Sequence, residues 1–454
     1  MELLRDDIVE KLGQAFARSG KSLYLVGGTI RDALLERPSP DIDLTTDAVP
    51  AEVKDLIAAA GPSAVYAVGE RYGTIGAIFN GTTVEITTFR GETYREGYRK
   101  PKVRFGVSLV EDLSRRDFTI NAIAQNTATG ELIDPFHGQD DLRRRIIKAV
   151  GDADERFKED PLRMMRAVRF ASELGFHLEK HTAASVKRNA QWLQSISVER
   201  IAAELNRILV SPHPSLGIRM LCDLNLMEWI IPEVLDLRGL AQVGYRTKDV
   251  FEHTLAVVEG VPASLDLRLA ALLHDIGKPA TVSHVDGEVH FFAHEIVGAE
   301  MAERILRRLH FDNKRIAHVG KLVREHMRVN TYVPTWTDSA VRRFVRETGD
   351  LLDETFALSR GDITSRRAQR VREALARVNE LEARSREMIA RQAVAPLRSP
   401  LNGHELMEMF ARGPGPWIGQ IQRRLLEMVL EGELAPDDKE RAATIARQMV
   451  ESGI

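Results

Sequence analysis

The chain has 454 residues, more than one hydrophobic core normally organises, so two to four domains are expected. Hydrophobic residues make up 44% and charged residues 28%, a globular balance that excludes wholesale disorder, and no apolar run approaches the roughly 18 residues of a membrane span. The formal net charge is −3, and the single cysteine, Cys222, excludes an internal disulfide framework and a cysteine-rich zinc site. The N-terminal MELLRDDIVEKLGQ is acidic and amphipathic, unlike a secretory signal, so the expected location is the cytoplasm, with no membrane association and no obligatory protein partner evident. A near-neutral total does not exclude RNA, because phosphate is bound by local clusters. Arginines cluster at 95–104, at Arg115-Arg116, at 143–145 and at 163–169.

From the N-terminus, LYLVGG (23–28) and IDLTT (42–46) predict short apolar strands with breakers. VEITTFR (84–90) alternates and carries β-branched residues, as a half-buried strand does. From about residue 153 the pattern turns almost entirely helical. KEDPLRMMRAVRFASELGF (158–176) places acidic residues and Pro161 at a helix start and Gly175 at its end. The stretch 250–365 holds most of the histidines. It is interrupted by a predicted hairpin at VSHVDGEVHFFAH, with Asp286-Gly287 as its turn. Residues 366–397 predict a charged helix, and a last helical unit contains the turn Gly413-Pro414-Gly415-Pro416. No fixed-period repeat is visible.

The strongest chemical signal is LVGGTIRDALLERPSPDIDLTT (25–46). Glycines after a strand let backbone N–H groups approach a triphosphate, with the following helix start favouring its charge. Asp41 and Asp43 are two apart in a strand-like stretch, so both carboxylates project from one face. Paired carboxylates suit hard metal ions that activate a hydroxyl and neutralise leaving pyrophosphate. A lone D-x-D is common at strand edges; G-G before R-D, with D-x-D about ten residues later, is far more specific. This string resembles the nucleotidyltransferase signature of the DNA polymerase beta superfamily, and within it the bacterial tRNA nucleotidyltransferase (CCA-adding enzyme) and poly(A) polymerase group. The resemblance implies that Asp41 and Asp43 hold Mg²⁺ and that Gly28 and Arg31 touch the nucleotide. It points to Glu85 as a third carboxylate.

LVEDLSRRDFTINAIA (109–124) matches the family's R-R-D-F-T-x-N-A motif. By that resemblance Arg116 contacts phosphates or sugar, while Asp117 and Asn121 order the site and the ribose; taken alone, Asp117 reads equally as a helix cap. The third motif is Glu159-Asp160-Pro161-Leu162-Arg163. On a helix, Arg163, Arg166 and Arg169 drift by only about 60° per step and form one basic stripe, with Leu162, Met165, Val168 and Ala171 on an adjacent face. Asp160 as acceptor and Arg163 as donor suit the Watson–Crick edge of an incoming base; the isolated string favours helix-surface salt bridging, and the two upstream motifs in order turn the reading to base selection. It looks like the family's amino-acid template, E-D-x-x-R, which carries over base selection to Asp160 and Arg163 and support of the triphosphate to Arg166 and Arg169. Between these motifs, FRGETYREGYRKPKVRF (89–105) resembles the loop that complete CCA-adding enzymes use to switch from C to A. Arg99-Lys100-Pro101 departs from the usual arginine pair, and lysine lacks the guanidinium fork.

FEHTLAVVEG, AALLHDIGKPAT, FFAHEIVGAE, VREHMRVN and SRGDIT together resemble an HD domain. Imidazole and carboxylate clusters suit Mn²⁺, Ni²⁺, Mg²⁺ or iron. The resemblance implies that His253, His274, Asp275 and Asp362 hold one divalent metal, that His294 and His326 serve a second, and that the activity is phosphohydrolysis, with a relic domain supporting RNA binding as the alternative. His310 and His318 read as filler. The tail 399–434 resembles the C-terminal unit of the same enzymes, Trp417 reading as packing.

The expected fold is α+β: a small DNA polymerase beta-like nucleotidyltransferase head (1–152), a helical neck for base recognition and RNA binding (153–240), an HD domain (241–375) and a C-terminal helical tail (376–454). The expected reaction is template-independent addition of C, C and A to the tRNA 3′ end from CTP and ATP. The rivals are an A-adding specialist, a poly(A) polymerase and a chain that is mainly a metal-dependent phosphohydrolase.

Overall fold

The computed structural model describes residues 7–39, 41–67, 69–93, 102–241, 249–285, 288–365, 367–394, 398–431 and 433–452. They divide into two units, Met1–Leu235 and Asp236–Ile454. Among the described residues no helix is long and apolar enough to cross a membrane.

The first unit opens with helix α1 (Asp7–Arg18), which buries Val9, Leu12, Gly13 and Phe16, the spacing of one apolar stripe. Strand β1 (Leu23–Val26) runs directly into α2 (Gly27–Leu34), followed by β2 (Asp41–Thr46), α3 (Pro50–Ala59), β3 (Ala64–Tyr66), β4 (Thr74–Phe79) and β5 (Thr82–Thr88). The ribbon β6 (Arg90–Thr93) and β7 (Lys102–Phe105) comes next, then α4 (Leu109–Ser114), β8 (Ala124–Asn126), β9 (Leu132–Ile133) and α5 (Gly138–Arg144). Seven strands form one mixed sheet in the order β3-β4-β5-β2-β1-β8-β9. Its parallel pair is β2 and β5, in a register that sets Asp43 opposite Glu85. The predicted strands at 23–28, 42–46 and 84–90 are therefore present, except that Gly27 and Gly28 belong to the helix that follows. The switch loop predicted at 89–105 keeps its two foot strands, while Arg95, Arg99, Lys100 and Pro101 lie outside the described residues.

After β10 (Ile146–Ile147) the unit becomes helical: α6 (Ala153–Glu159), α7 (Leu162–Leu174), β11 (His177–Leu178), α8 (Lys180–Asn189), α9 (Val198–Leu209) and α10 (Pro214–Asp223). The E-D-x-x-R string spans a break between two helices. Asp160 has φ −145° and ψ 100°, because the ring of Pro161 disfavours helical backbone in the preceding residue. Leu162, Met165, Val168 and Ala171 are buried as predicted, and so are Met164, Ala167 and Phe170, which makes α7 a central helix.

The second unit contains α11 (Val250–Gly260), α12 (Leu265–Leu273), the hairpin β12 (Val282–Val285) and β13 (Glu288–Phe291), α13 (His294–Arg308), α14 (Asn313–Glu325), α15 (Asp338–Thr348) and α16 (Leu352–Asp362). It continues through α17 (Ala368–Val394), α18 (Gly403–Phe410), α19 (Pro416–Glu431) and α20 (Lys439–Glu451). The hairpin turn, Asp286-Gly287, lies outside the described residues. Helix α17 runs unbroken through the boundary expected at 375/376, and its Val378, Leu381 and Met388 share a core with Tyr332, Phe344 and Phe356. A separate core begins at Leu401, where Trp417 packs with Leu406, Ile421 and Leu425. Trp417 also donates its indole N–H to the Gly413 carbonyl at 3.0 Å, which closes the Gly-Pro turn.

Candidate active sites

In the first unit, the β1–α2 junction and β2 are fixed to each other before any functional group is considered. Thr29 Oγ accepts the Asp43 backbone N–H at 2.8 Å and donates to the Asp41 carbonyl at 3.3 Å. Gly27 sits at φ +65°, and a Cβ there would fall 3.1 Å from Arg116 Nη1 and 3.4 Å from Asp43 Oδ2. Glycine takes this backbone angle without strain and leaves room for both side chains. Asp41 is exposed and Asp43 half-buried on the same face of β2, with the exposed Glu85 in register on β5. The Asp43 carboxyl is pushed up by burial and by Asp41, against the pull of Arg116, Arg31 and the Gly28 N–H. Glu85 is pushed up by burial and by both aspartates. Three carboxylates gathered on one face of adjoining strands are a donor set suited to a hard divalent cation.

The three motifs meet in one hydrogen-bonded chain. Arg31 grips Asp32 through Nε at 2.9 Å and Nη2 at 2.8 Å, and donates from Nη1 to Asn121 Oδ1 at 2.9 Å. Asn121 Nδ2 donates to Asp117 Oδ1 at 3.0 Å, and Asp117 Oδ2 receives Arg166 Nε at 2.8 Å and Nη2 at 2.6 Å. Burial alone would raise the Asp117 carboxyl, yet Arg166 and Asn121 hold it down to about 2. With the Phe118 N–H also on Oδ1 at 2.9 Å, both Asp117 oxygens are engaged inside the protein. Arg116 is partly buried, where desolvation lowers its pKa, and lies near Asp112 and the Asn121 carbonyl.

On α7, Arg163 donates to Glu159, to the Arg156 carbonyl and to the Arg115 carbonyl. Asp160 Oδ1 accepts the Leu162 N–H at 3.2 Å, and Oδ2 accepts Arg200 Nη2 at 2.9 Å. Arg169 is almost wholly buried and ion-paired with Glu204 at 2.8 Å; burial pushes it down to about 10. The guanidiniums of Arg31, Arg166 and Arg169 all lie 4.3–5.3 Å from the Phe170 ring centre. Sequence reasoning did not single out Thr29, Tyr72, Phe170, Arg200 or Arg207. Only Phe170 carried a signal, one position beyond the arginine stripe. Together these groups enclose a cavity of about 730 Å³, within the size range of small-molecule sites. Among the described residues its lining holds nine arginines against four carboxylates, an excess that suits a polyphosphate.

In the second unit, the near-continuous apolar run of α12 buries its core residues and delivers His274 and Asp275 at its end. The turn after it presses against α13: a Cβ on Gly277 would meet the His294 carbonyl at 2.4 Å. Six predicted ligands converge. They form two sets, His253–His274–Asp362 and Asp275–His294–His326, with the ligand atoms of each within 4.8 Å of one another. This differs from the expected grouping because the Asp275 carboxylate faces both sides. Its Oδ2 lies 3.2 Å from His274 Nε2 and its Oδ1 3.5 Å from His294 Nε2. The other ring nitrogens are held in place. His274, His294 and His326 each direct Nδ1 to a carbonyl three residues back, at 2.8, 2.9 and 2.6 Å, and His253 Nδ1 meets Thr364 Oγ at 2.8 Å. Such pinning orients Nε2 for a metal. Burial and the charge of His274 push His326 down to about 4, which leaves a neutral imidazole. The buried His294 Nε2 has no hydrogen-bond partner among the described residues. This donor set fits divalent ions.

Comparison with known proteins agrees with both halves. Family profiles described as Poly A polymerase head domain, Probable RNA and SrmB- binding site of polymerase A, and HD domain match residues 23–148, 175–237 and 248–374. The chain is 34% identical over 429 residues to a CCA-adding enzyme of Anoxybacillus flavithermus, covering 92% of each chain. It is 32% identical to one of Geobacillus sp., covering 94% of this chain and 93% of the relative. A crystal structure of the Bacillus stearothermophilus CCA-adding enzyme in complex with CTP superposes with a TM-score of 0.64 at 28% identity, covering 99% of both chains. On this footing the chain belongs to the CCA-adding enzyme family.

Proposed function

We propose that the first unit adds C, C and then A to the 3′ end of tRNA, from CTP and ATP and without a nucleic-acid template. The carrying observation is that Asp43 and the Asp160–Arg163 corner line one arginine-rich cavity. In the reaction the RNA 3′-oxygen bonds to the α-phosphorus, the bond from that phosphorus to the bridging oxygen breaks, the hydroxyl proton is lost and pyrophosphate leaves. Asp41 and Asp43, with Glu85, hold Mg²⁺, which when bound neutralises phosphate charge and acidifies the attacking hydroxyl. Arg31, Arg116 and Arg166 face the triphosphate, with Gly27 and Gly28 keeping the cavity wall thin. Asp117 and Asn121 act as positioning residues, since their polar atoms hold Arg31 and Arg166.

Base choice follows from which hydrogen-bonding atoms remain available. Of the five N–H bonds of Arg163, three are engaged, leaving Nε–H and one on Nη2. Each Asp160 oxygen accepts one bond and has a further lone pair. An acceptor beside a donor matches cytosine and adenine, which both place an exocyclic amine next to a ring nitrogen acceptor. Uracil and guanine present the reverse order. Incubating the protein with Mg²⁺, tRNA ending at the discriminator base, and CTP, ATP or both tests this at single-nucleotide resolution. The expected product gains C, C and A. A single A added only to tRNA ending in CC would mark an A-adding specialist, long tails a poly(A) polymerase, and no addition would refute the reading.

The second unit supports a second reading, carried by a six-ligand cluster in which the buried His294 Nε2 has no hydrogen-bond partner among the described residues. We propose that it hydrolyses phosphate esters at RNA ends with Mn²⁺, Ni²⁺ or Mg²⁺ bound. Water adds to phosphorus, one ester P–O bond breaks, and a proton from that water ends on the departing oxygen. Phosphate release from RNA carrying a 3′-phosphate, and ring opening to a monophosphate on RNA carrying a 2′,3′-cyclic phosphate, with each metal in turn, test it. Absence of both reactions with every metal would favour a domain that only supports RNA binding.

A further inference from the structure

In the sheet of the first unit, Ile42, Leu44, Val84, Ile86, Ile75 and Ala77 are buried on one face, and the carboxylates stand on the other. A single lateral row crosses four strands on that other face. The paired registers run from Asp43 on β2 to Glu85 on β5, Gly76 on β4 and Tyr66 on β3. Side chains in register share a face, so the row that holds two of the three carboxylates ends in a tyrosine. Gly76 lets the row close up. A Cβ there would fall 2.2 Å from Tyr66 Cε2 and Cζ and 2.6 Å from the hydroxyl oxygen, so the ring lies across the bare backbone of β4. Cβ positions in register on neighbouring strands are roughly 5 Å apart, which brings the phenol up beside Glu85. Burial, then the charges of Glu85 and Asp41, push the phenol above its ordinary range, so it keeps its proton and meets the carboxylates as a donor. The side chain is only half-buried, within reach of a ligand.

The nucleotide cavity opens from the other flank of Asp43, where Gly27, Gly28, Arg31 and Arg116 line it; Asp41, Glu85 and Tyr66 are not part of its lining. In nucleotidyl transfer the attacking and leaving oxygens stand roughly in line across the phosphorus. With pyrophosphate leaving into the arginine-rich cavity, the 3′-hydroxyl of the RNA arrives from the side of β5, β4 and β3. The 2′-hydroxyl sits on the adjacent ribose carbon and travels with it. We infer that Tyr66 receives this 2′-hydroxyl of the RNA's terminal ribose, its phenol O–H donating to that oxygen beside the carboxylates. The 2′-hydroxyl is the group by which a protein tells RNA from DNA at a given position. The inference rests on the nucleotidyl-transfer reading of the first unit and adds a residue that selects a ribose end over a deoxyribose end.

The test gives the full chain Mg²⁺, CTP and two tRNAs ending at the discriminator base, one with a terminal ribose and one with a terminal 2′-deoxyribose. Both keep the 3′-hydroxyl. Wild type is expected to prefer the ribose end on the order of fivefold in kcat/KM, the worth of one hydrogen bond. Tyr66→Phe, which keeps the ring, should bring the two tRNAs close to parity, the loss falling on KM for tRNA and not on KM for CTP. Gly76→Ala should do the same, because its strand backbone suits alanine and only the Tyr66 ring stands in the way. In a Tyr66→Ala background, Gly76→Ala should add nothing further. A ring that merely covers a glycine stabilises the sheet and would affect both tRNAs alike. An equal loss on both tRNAs, no ribose preference in wild type, or a preference intact in Tyr66→Phe overturns the inference. If wild type extends neither tRNA, the nucleotidyl-transfer reading fails, and the affinities of the two tRNAs in Mg²⁺ then decide the contact. Tighter binding of the ribose end, abolished by Tyr66→Phe, upholds it, and equal binding overturns it.

Discussion

The two sites balance charge in opposite ways. In the first unit, Arg31, Asn121, Asp117 and Arg166 satisfy one another in sequence, and the surplus is positive. The missing partner there is the substrate's phosphate. In the second unit the imidazole Nε2 atoms and carboxylates face inward, their Nδ1 atoms already tied, and the missing partner is a cation. A site wired mainly with arginine awaits an anion, and one wired with histidine and aspartate awaits a metal. The contrast shows why similar counts of charged residues do not by themselves reveal what a cavity takes.

The comparison predicts independence, and the largest effect tests that. Asp41→Asn or Asp43→Asn should lower nucleotide addition by about 10³-fold or more, since a metal's charge stabilisation amounts to several kcal/mol, while ester hydrolysis is retained. A parallel fall of both activities would break the comparison. Next, saturating Mn²⁺ at 100 times its Kd should stabilise wild type by about 2.7 kcal/mol and raise its melting temperature. Asp275→Asn should remove that shift together with hydrolysis, without touching nucleotide addition. A shift preserved in Asp275→Asn would place the ion elsewhere.

Smaller effects sharpen the internal wiring. Asp117→Asn should destabilise the first unit by about 2 kcal/mol at neutral pH, because it leaves the partly exposed Arg166 without its counter-charge. The sign with pH is fixed. The folded carboxyl titrates near 2, below its unfolded value near 3.9, so its contribution is complete above about pH 4 and is lost as pH falls through 2. Denaturation curves of wild type and variant should converge over that window; a constant gap would show that the pair is not the cause. Arg200→Ala should have the smallest effect, a few-fold loss of discrimination between CTP and UTP, as expected for a half-exposed ion pair that only steadies Asp160. Equal discrimination in both proteins would assign Arg200 to the surface.

The parts legible in the sequence were those whose spacing carries chemistry. Two-residue periodicity put Asp41 and Asp43 on one strand face, and the apolar run before His274-Asp275 marked a buried helix end. What the sequence did not show was partnership. Asp117 read as a group that orders the site and the ribose, but its partner, a donor 49 residues away, could not be named from the string. Arg200 sits on a separate helix, and no local pattern announces its bond to Asp160. The helix break at Asp160 was available from Pro161, since a residue before proline resists helical backbone. The grouping of Asp275 with both ligand sets depends on where its two oxygens point, which only packing decides.

Phe170 ties the sheet-bearing half of the first unit to its helical half. Arg31 arrives from α2, Arg166 and Arg169 from its own helix, and Phe118 meets its edge at 83°. Rotating α7 away from the sheet would part the ring from Arg31, while Arg166 and Arg169, on the same helix, stay with it, so one cation contact on the order of 1 kcal/mol and the Phe118 edge contact would be lost. The ring is therefore a shared seat, touched by Arg31 and Phe118 from outside its helix and by Arg166 and Arg169 from its own. The ring lies beside the cavity that Arg31, Arg166 and Arg169 also line, so a shift of α7 against α2 would reshape that cavity's wall.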